Sequence, residues 1–194
     1  MRKAALIVAL ALAAPVWAHA ADAPKVLIET SLGDITLELD PAHAPVTVDN
    51  FLRYASEGHF DGTVVYRVVP GFVIQAGSWD ADVRARPTHD PIQLEANNGL
   101  SNLRGSVAMA RGDDPASATA EFFIDLADNP ALDHKPSDTG NSTGYAVFGK
   151  VVDGMDVVDK IAAVPLGDHG PMAGAAPVEP IVIRKVSLIP VSQP

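Results

Sequence analysis

The sequence has 194 residues, of which 47% are hydrophobic, and it contains no cysteine. Its 14 basic and 24 acidic side chains give a net charge of -10 at pH 7, which argues against nucleic acid as a main partner because phosphate binding needs a cationic surface. Without cysteine the chain can form no disulfide, no catalytic thiolate and no cysteine-zinc site.

The first twenty residues have the pattern of a secretory signal peptide. Arg2 and Lys3 form a basic start, and residues 4–16 form an apolar stretch that is too short to span a bilayer comfortably. Ala18-His19-Ala20 is a cleavage site of the small-x-small type. We therefore expect residues 1–20 to be removed, which predicts export to the periplasm and no stable membrane association. An uncleaved anchor is the alternative.

Residues 21–194 are predicted to form a single domain, with a C-terminal tail that is frayed from residue 190 onward. Period-two hydrophobicity and turn residues predict short strands. The predicted strands are residues 26–30, 34–39, 64–69, 72–76, 106–110, 122–126, 146–151 and 181–189.

Two helices are predicted between these strands. Residues 45–56 begin with a proline, which suits the first turn of a helix, and place an apolar stripe on one face. Residues 155–162 have a similar apolar stripe. Many short strands with two helices favour a mainly β fold, in the form of a closed antiparallel β-barrel. Side chains fill the interior of such a barrel, so a ligand must bind outside it.

The most unusual segment is residues 66–77, in which Arg67 lies in an apolar, strand-like run. An unpaired buried charge is costly, so this arginine needs a partner or a function. A turn at Pro70-Gly71 follows, and then Phe72 and Gln75 at strand spacing. The pattern predicts an apolar pocket wall with one cation and one amide at its rim. The alternative is that Arg67 belongs to a structural ion pair.

Residues 66–77, 121–124 and 145–151 together resemble the signature segments of the cyclophilin family of peptidyl-prolyl cis-trans isomerases, and the resemblance extends over about residues 26–189. It implies an eight-stranded antiparallel barrel capped by two helices, with a peptide groove on its outer face. It also implies isomerisation of X-Pro bonds in unfolded or flexible proline-containing polypeptides. This reaction cleaves no bond, so we expect neither a cofactor nor a metal. We also expect a monomer.

The resemblance assigns roles to single residues. Arg67 falls on the catalytic arginine, Phe72 on the phenylalanine of the proline pocket, and Gln75 on the glutamine that positions the arginine. Other positions that correspond to substrate contacts are Met109, Ala110, Arg111, Glu121, Phe123, Leu132 and Tyr145. Among these, the side chains of Met109, Phe123 and Leu132 are expected to line the pocket, and the backbone of Ala110 is expected to pair with substrate.

Several positions depart from the family pattern. Glu121 replaces a usual glutamine, Arg111 an asparagine and Tyr145 a histidine, while Ala131 replaces a tryptophan that contacts cyclosporin in many members. We therefore expect weak cyclosporin binding. Glu121 is a solvated charge or pairs with Arg67 or Arg111; the sequence does not distinguish these.

Two alternative functions accompany the isomerase hypothesis. The first is a chaperone module that binds proline peptides with weak or no catalysis. The second is a purely structural or interaction barrel, which Arg67 beside an apolar pocket disfavours.

Overall fold

The computed structural model describes residues 23–136, 143–168, 171 and 173–190. The predicted signal peptide and residues 191–194 of the predicted tail lie outside the described residues. The described strands are β1 (Lys25–Thr30), β2 (Gly33–Leu39), β3 (Arg67–Val69), β4 (Val73–Ala76), β5 (Ser106–Met109), β6 (Phe122–Asp125), β7 (Ala146–Asp153), β8 (Leu166–Gly167), β9 (Ala176–Pro177) and β10 (Ile183–Ile189). The helices are α1 (Pro45–Ser56) and α2 (Met155–Ala162). In the described part of the chain, neither helix is long and apolar enough to cross a membrane.

Both helices were predicted with these bounds, and both predictions are confirmed. The N-terminus of α1 is capped by Glu95, whose carboxylate accepts hydrogen bonds from the backbone N–H groups of Val46 at 3.1 Å and Thr47 at 2.8 Å. A negative charge at this end satisfies free amides and suits the helix dipole. The same contact attaches the long loop of residues 78–98 to the helix.

The main sheet has eight antiparallel strands in the order β10-β1-β2-β7-β5-β6-β4-β3. The predicted mainly β fold is confirmed, but closure of the barrel is not, since the sheet curls through 218° and has β3 and β10 at its edges. Near one end, Val65 N–H donates to Ile181 O at 2.9 Å, and Ile183 N–H donates to Thr63 O at 2.8 Å. These bonds join the segment that precedes β3 to the start of β10 and the residues before it. Of the predicted strand 64–69, only residues 67–69 form β3.

Alternation of side chains gives the sheet an inner and an outer face. The inner face and both helices share one core, in which the Phe51 ring lies 5.4 Å from Phe122 and 5.2 Å from Phe148, centroid to centroid. Val158 and Ile161 of α2 are buried in the same core. Because the interior is filled in this way, ligand binding requires the outer face.

Candidate functional site

A smaller apolar cluster covers the outer face of β4, β5, β6 and β7. Its buried members are Val73, Ala108, Ala110, Phe123 and Val147. Four partly buried residues surround them: Phe72, Leu100, Leu132 and Tyr145. We call these nine residues the outer apolar cluster. The partly buried residues leave apolar surface open to solvent, as a pocket for a small apolar group requires.

One row of side chains crosses this face from strand to strand. In the sheet register Arg67 is opposite Gln75, Gln75 is opposite Phe123, and Phe123 is opposite Ala108. Val147 continues the row on β7. Directly opposed residues on one face have neighbouring side chains. The register therefore places a cation, then an amide, then an apolar surface along one line, which we call the cross-strand row.

Arg67 is held at the end of this row by Gln75. Its Nη1 donates a hydrogen bond to Gln75 Oε1 at 3.0 Å, and the arginine side chain is partly buried. Within the described ranges, no acidic side chain lies within 4.0 Å of its guanidinium. The described structure therefore gives no support to a structural ion pair of Arg67. The guanidinium keeps further N–H donors beside the apolar cluster.

Tyr145 and Arg111 build the opposite side of the cluster. The Tyr145 ring meets the Phe123 ring edge to face, with centroids 5.4 Å apart. The Arg111 guanidinium lies 4.9 Å from the centroid of the Tyr145 ring, and its Nε donates to Gly144 O at 3.0 Å. Cation-π and edge-to-face contacts favour this arrangement. Together these contacts fix the Tyr145 ring beside Phe123.

Glu121 is neither solvated nor ion-paired. Both of its carboxylate oxygens are buried, and neither accepts a hydrogen bond from the described residues. Burial raises the pKa of this carboxyl. The side chains of Tyr66, Ser78 and Gln75 lie close enough to lower that pKa in part, although none makes a well-aligned hydrogen bond to it. Burial thus shifts this carboxyl toward its neutral form, and in that form Glu121 resembles the glutamine that it replaces.

Met109 is not in the outer apolar cluster. It is 1% exposed and belongs to the inner core, opposite the inward-facing Phe122. The expectation that its side chain lines the pocket is therefore not supported. Ala110 does lie in the cluster, but its N–H donates to Glu121 O at 2.9 Å, so a peptide could pair only with its carbonyl.

Sequence reasoning missed the members of the cluster that lack an unusual residue type. These are Val73, Leu100, Ala108 and Val147. Val73, Ala108 and Val147 are small or aliphatic residues in apolar strands, and only the strand register separates them from core residues. Leu100 lies in a polar loop, where nothing in the sequence marks it. Among the described residues, no group of three or more His, Asp or Glu side chains could hold a metal ion.

The sequence and the fold both match known proteins. Residues 25–188 match the family model described as "Cyclophilin type peptidyl-prolyl cis-trans isomerase/CLD". The chain is 46% identical over 188 residues to peptidyl-prolyl cis-trans isomerase A of Dickeya dadantii, with 96% of each chain covered. It is 45% identical over 163 residues to peptidyl-prolyl cis-trans isomerase B of Escherichia coli, covering 84% of this chain and 98% of that one. A crystal structure of a cyclophilin-type isomerase of Cryptosporidium parvum has the same fold, with a TM-score of 0.71 at 23% identity, over 89% of this chain and 99% of that one.

Proposed function

Because the chain belongs to the cyclophilin-type peptidyl-prolyl cis-trans isomerase family, we propose that it isomerises X-Pro bonds in unfolded or flexible exported polypeptides, with Arg67 as its catalytic residue. The enzyme class follows from the family and from the bacterial relatives. The substrates, the compartment and the role of each site residue are the proposal.

The cross-strand row carries the assignment of the catalytic residue. Isomerisation of an X-Pro bond crosses a barrier of ~18–20 kcal/mol that arises from amide resonance. The planar amide loses this resonance when it twists, and its nitrogen then becomes a better hydrogen-bond acceptor. A proline ring seated on Phe72 and Phe123 would place its nitrogen toward Gln75 and Arg67, since those residues follow in the row.

Arg67 can stabilise the twisted amide more than either planar form. Its charge is permanent and its donors are fixed in a plane, and the hydrogen bond to Gln75 sets its orientation before substrate binds. Such preorganised electrostatics lowers a barrier because it acts most strongly in the transition state. Raising a rate from ~10⁻² to ~10³ s⁻¹ requires about 7 kcal/mol. The combined effect of one oriented charge, desolvation and an apolar pocket for the proline ring is of that size.

The export of the substrates is inferred from the first twenty residues alone. A basic start, an apolar stretch and the Ala18-His19-Ala20 site predict secretion. An isomerase in the periplasm would meet proteins that have just crossed a membrane unfolded, and slow X-Pro isomerisation limits the folding of such chains.

Exchange NMR on a short proline peptide tests the catalytic role, because it reports the exchange rate and the affinity together. Arg67→Ala should lose most of the rate while the protein stays folded and peptide affinity falls less. Arg67→Lys should recover only part of the rate, because a point charge does not reproduce the planar fork. Arg84→Ala is the matched control, since Arg84 pairs with Asp80 and is 72% exposed. Wild-type exchange in Arg67→Ala would refute the assignment.

A proline-peptide-binding chaperone with weak catalysis is the second candidate, and the buried Glu121 is the observation that favours it. Its carboxyl lies near Gln75, which orients Arg67. If that carboxyl draws Gln75 away, binding persists and catalysis weakens. The same NMR measurement separates the two functions, since the chaperone would bind the peptide without accelerating exchange in the unmodified protein.

A further inference from the structure

A buried polar pair, Asp125 and Asn129, lies beside the outer apolar cluster, since Asp125 is opposite the cluster member Val73 in the sheet register. Asp125 is the last residue of β6 and is 0% exposed, and Asn129 is 9% exposed. Asn129 Nδ2 donates to Asp125 Oδ1 at 2.7 Å and to Phe72 O at 3.0 Å. An amide nitrogen has two N–H donors, so both are used here, one on each partner.

The backbone of Asn129 joins this pair to the rest of the pocket rim. Its N–H donates to Asn102 O at 2.7 Å, and its carbonyl accepts from Leu132 N–H at 2.9 Å. Leu132 O in turn accepts from Tyr145 N–H at 3.0 Å. One asparagine is therefore bonded to the segments that carry three partly buried members of the cluster.

Of the pocket residues, Phe72 depends most on its hydrogen bond to Asn129. Phe72 follows Gly71, which has a φ of 72°, in the tight turn between β3 and β4. Its ring is partly exposed, so its own packing restrains it only in part. The Phe72 carbonyl accepts from Leu126 N–H at 2.8 Å and from Asn129. The side-chain donor fixes the plane of this peptide group and, through it, the direction of the ring.

We propose that Asn129, oriented by Asp125, is a positioning residue of the proline pocket that fixes Phe72 relative to Leu132 before substrate binds. The inference rests on the proposed function, because it takes Phe72 as the wall that receives the proline ring. A pocket wall that is already fixed avoids an ordering cost on binding. Loss of Asn129 should therefore appear as weaker peptide binding.

The first experiment compares Asn129→Ala with the unmodified protein by exchange NMR on a proline peptide. Loss of the donors should raise the peptide Kd about tenfold, the equivalent of one buried hydrogen bond. The exchange rate of bound peptide should change much less, because Arg67 and Gln75 remain. Asn129→Asp should bind more weakly still, since it turns an oxygen toward both Asp125 and the Phe72 carbonyl.

A double variant separates positioning from stability. Asn129→Asp combined with Asp125→Asn re-forms the side-chain pair with donor and acceptor exchanged, but leaves the Phe72 carbonyl without its side-chain donor. We expect it to recover the part of the stability that the contact with residue 125 provides, measured by urea unfolding, while the Kd stays high. Recovery of both quantities would show that the pair only supports the fold, and would overturn the proposal.

Two controls complete the design. Thr63→Val removes a buried hydrogen bond of 2.7 Å to Phe60 O outside the outer apolar cluster and should lower stability without changing the Kd. If Asn129→Ala behaves like Thr63→Val, the proposal is wrong. Phe72→Ala tests the pocket itself, and wild-type affinity there would refute the proposed function instead. Should Asn129→Ala fail to fold, Asn129→Ser is judged by the same criterion.

Discussion

Replacing Asp125 by asparagine should change how the stability of the protein depends on pH. The side chain is fully buried, and its Oδ2 has no hydrogen-bond partner among the described residues. The pKa of this carboxyl is raised from 3.8 to about 7, chiefly by burial and to a smaller extent by the charges of Asp133 and Asp128, while the hydrogen bond from Asn129 lowers it in part. The native state thus holds a proton that the unfolded chain releases.

The sign of the effect follows from that difference in pKa. Between the unfolded pKa of 3.8 and the folded pKa of about 7, the native state binds more protons, so stability falls as pH rises and levels off above the folded pKa. The shift corresponds to about 4 kcal/mol in total. From about pH 5 to about pH 8 the loss is roughly 2.5 kcal/mol, because part of it has already occurred at the lower pH.

Asp125→Asn removes this titration and keeps an oxygen that accepts from Asn129. Its free energy of unfolding, minus that of the unmodified protein, should therefore increase by roughly 2.5 kcal/mol between about pH 5 and about pH 8. Urea unfolding at both pH values measures this quantity. Asp49→Asn, on the exposed face of α1, is the matched control and should show a constant difference. A constant difference for Asp125→Asn would refute the reasoning.

Four further predictions concern the site and the chain terminus. Gly77→Ala should lose about 2 kcal/mol of stability, measured by urea unfolding, because Gly77 has a φ of 142° and an added Cβ would overlap the Ala120 carbonyl; unchanged stability would contradict this. The ratio of kcat/KM for Glu121→Gln to that of the unmodified protein should rise with pH, since ionised Glu121 would compete for Gln75; a flat ratio would count against it. Cyclosporin should bind weakly, and Ala131→Trp should improve binding in calorimetric titration, because Ala131 is exposed beside the cluster and lacks an aromatic anchor; tight binding by the unmodified protein would refute this. N-terminal sequencing of the mature protein should start at residue 21 or within a few residues of it, and an intact first residue in the cytoplasmic fraction would overturn the export prediction.

The part of the site that the sequence predicts is the part that contains a residue of unusual type for its surroundings. Arg67 is conspicuous because it is a charge in an apolar strand. The Pro70-Gly71 turn predicts that the strand reverses, which brings Phe72 and Gln75 back toward Arg67. Helix α1 was predictable because an N-terminal proline and an apolar stripe occur together in it.

The misplacement of the Met109 side chain has a physical cause, which is burial on both faces of β5. All four residues of β5 are buried, so hydrophobicity does not alternate along the strand and does not show which side chains face the core. The shift of register between Val107 and Ala108, where β5 meets β7, hides this further. Met109 was assigned to the pocket from the family resemblance, and the hydrophobicity of the strand gives no pattern that would correct this, although its register partner Phe122 faces the core.

Asp125 carries the same sequence signal as Arg67. It too is a charged residue in an apolar strand, after Phe122, Phe123 and Ile124. The two residues offset the free-energy cost of burying a charge in different ways. Arg67 lies on an edge strand, is only partly buried, and donates a hydrogen bond to Gln75. Asp125 is fully buried opposite Val73, and burial raises its pKa to about 7, which favours the neutral acid below that pH. The catalytic role that we propose for Arg67 requires this partial exposure, which its position at the end of the cross-strand row provides.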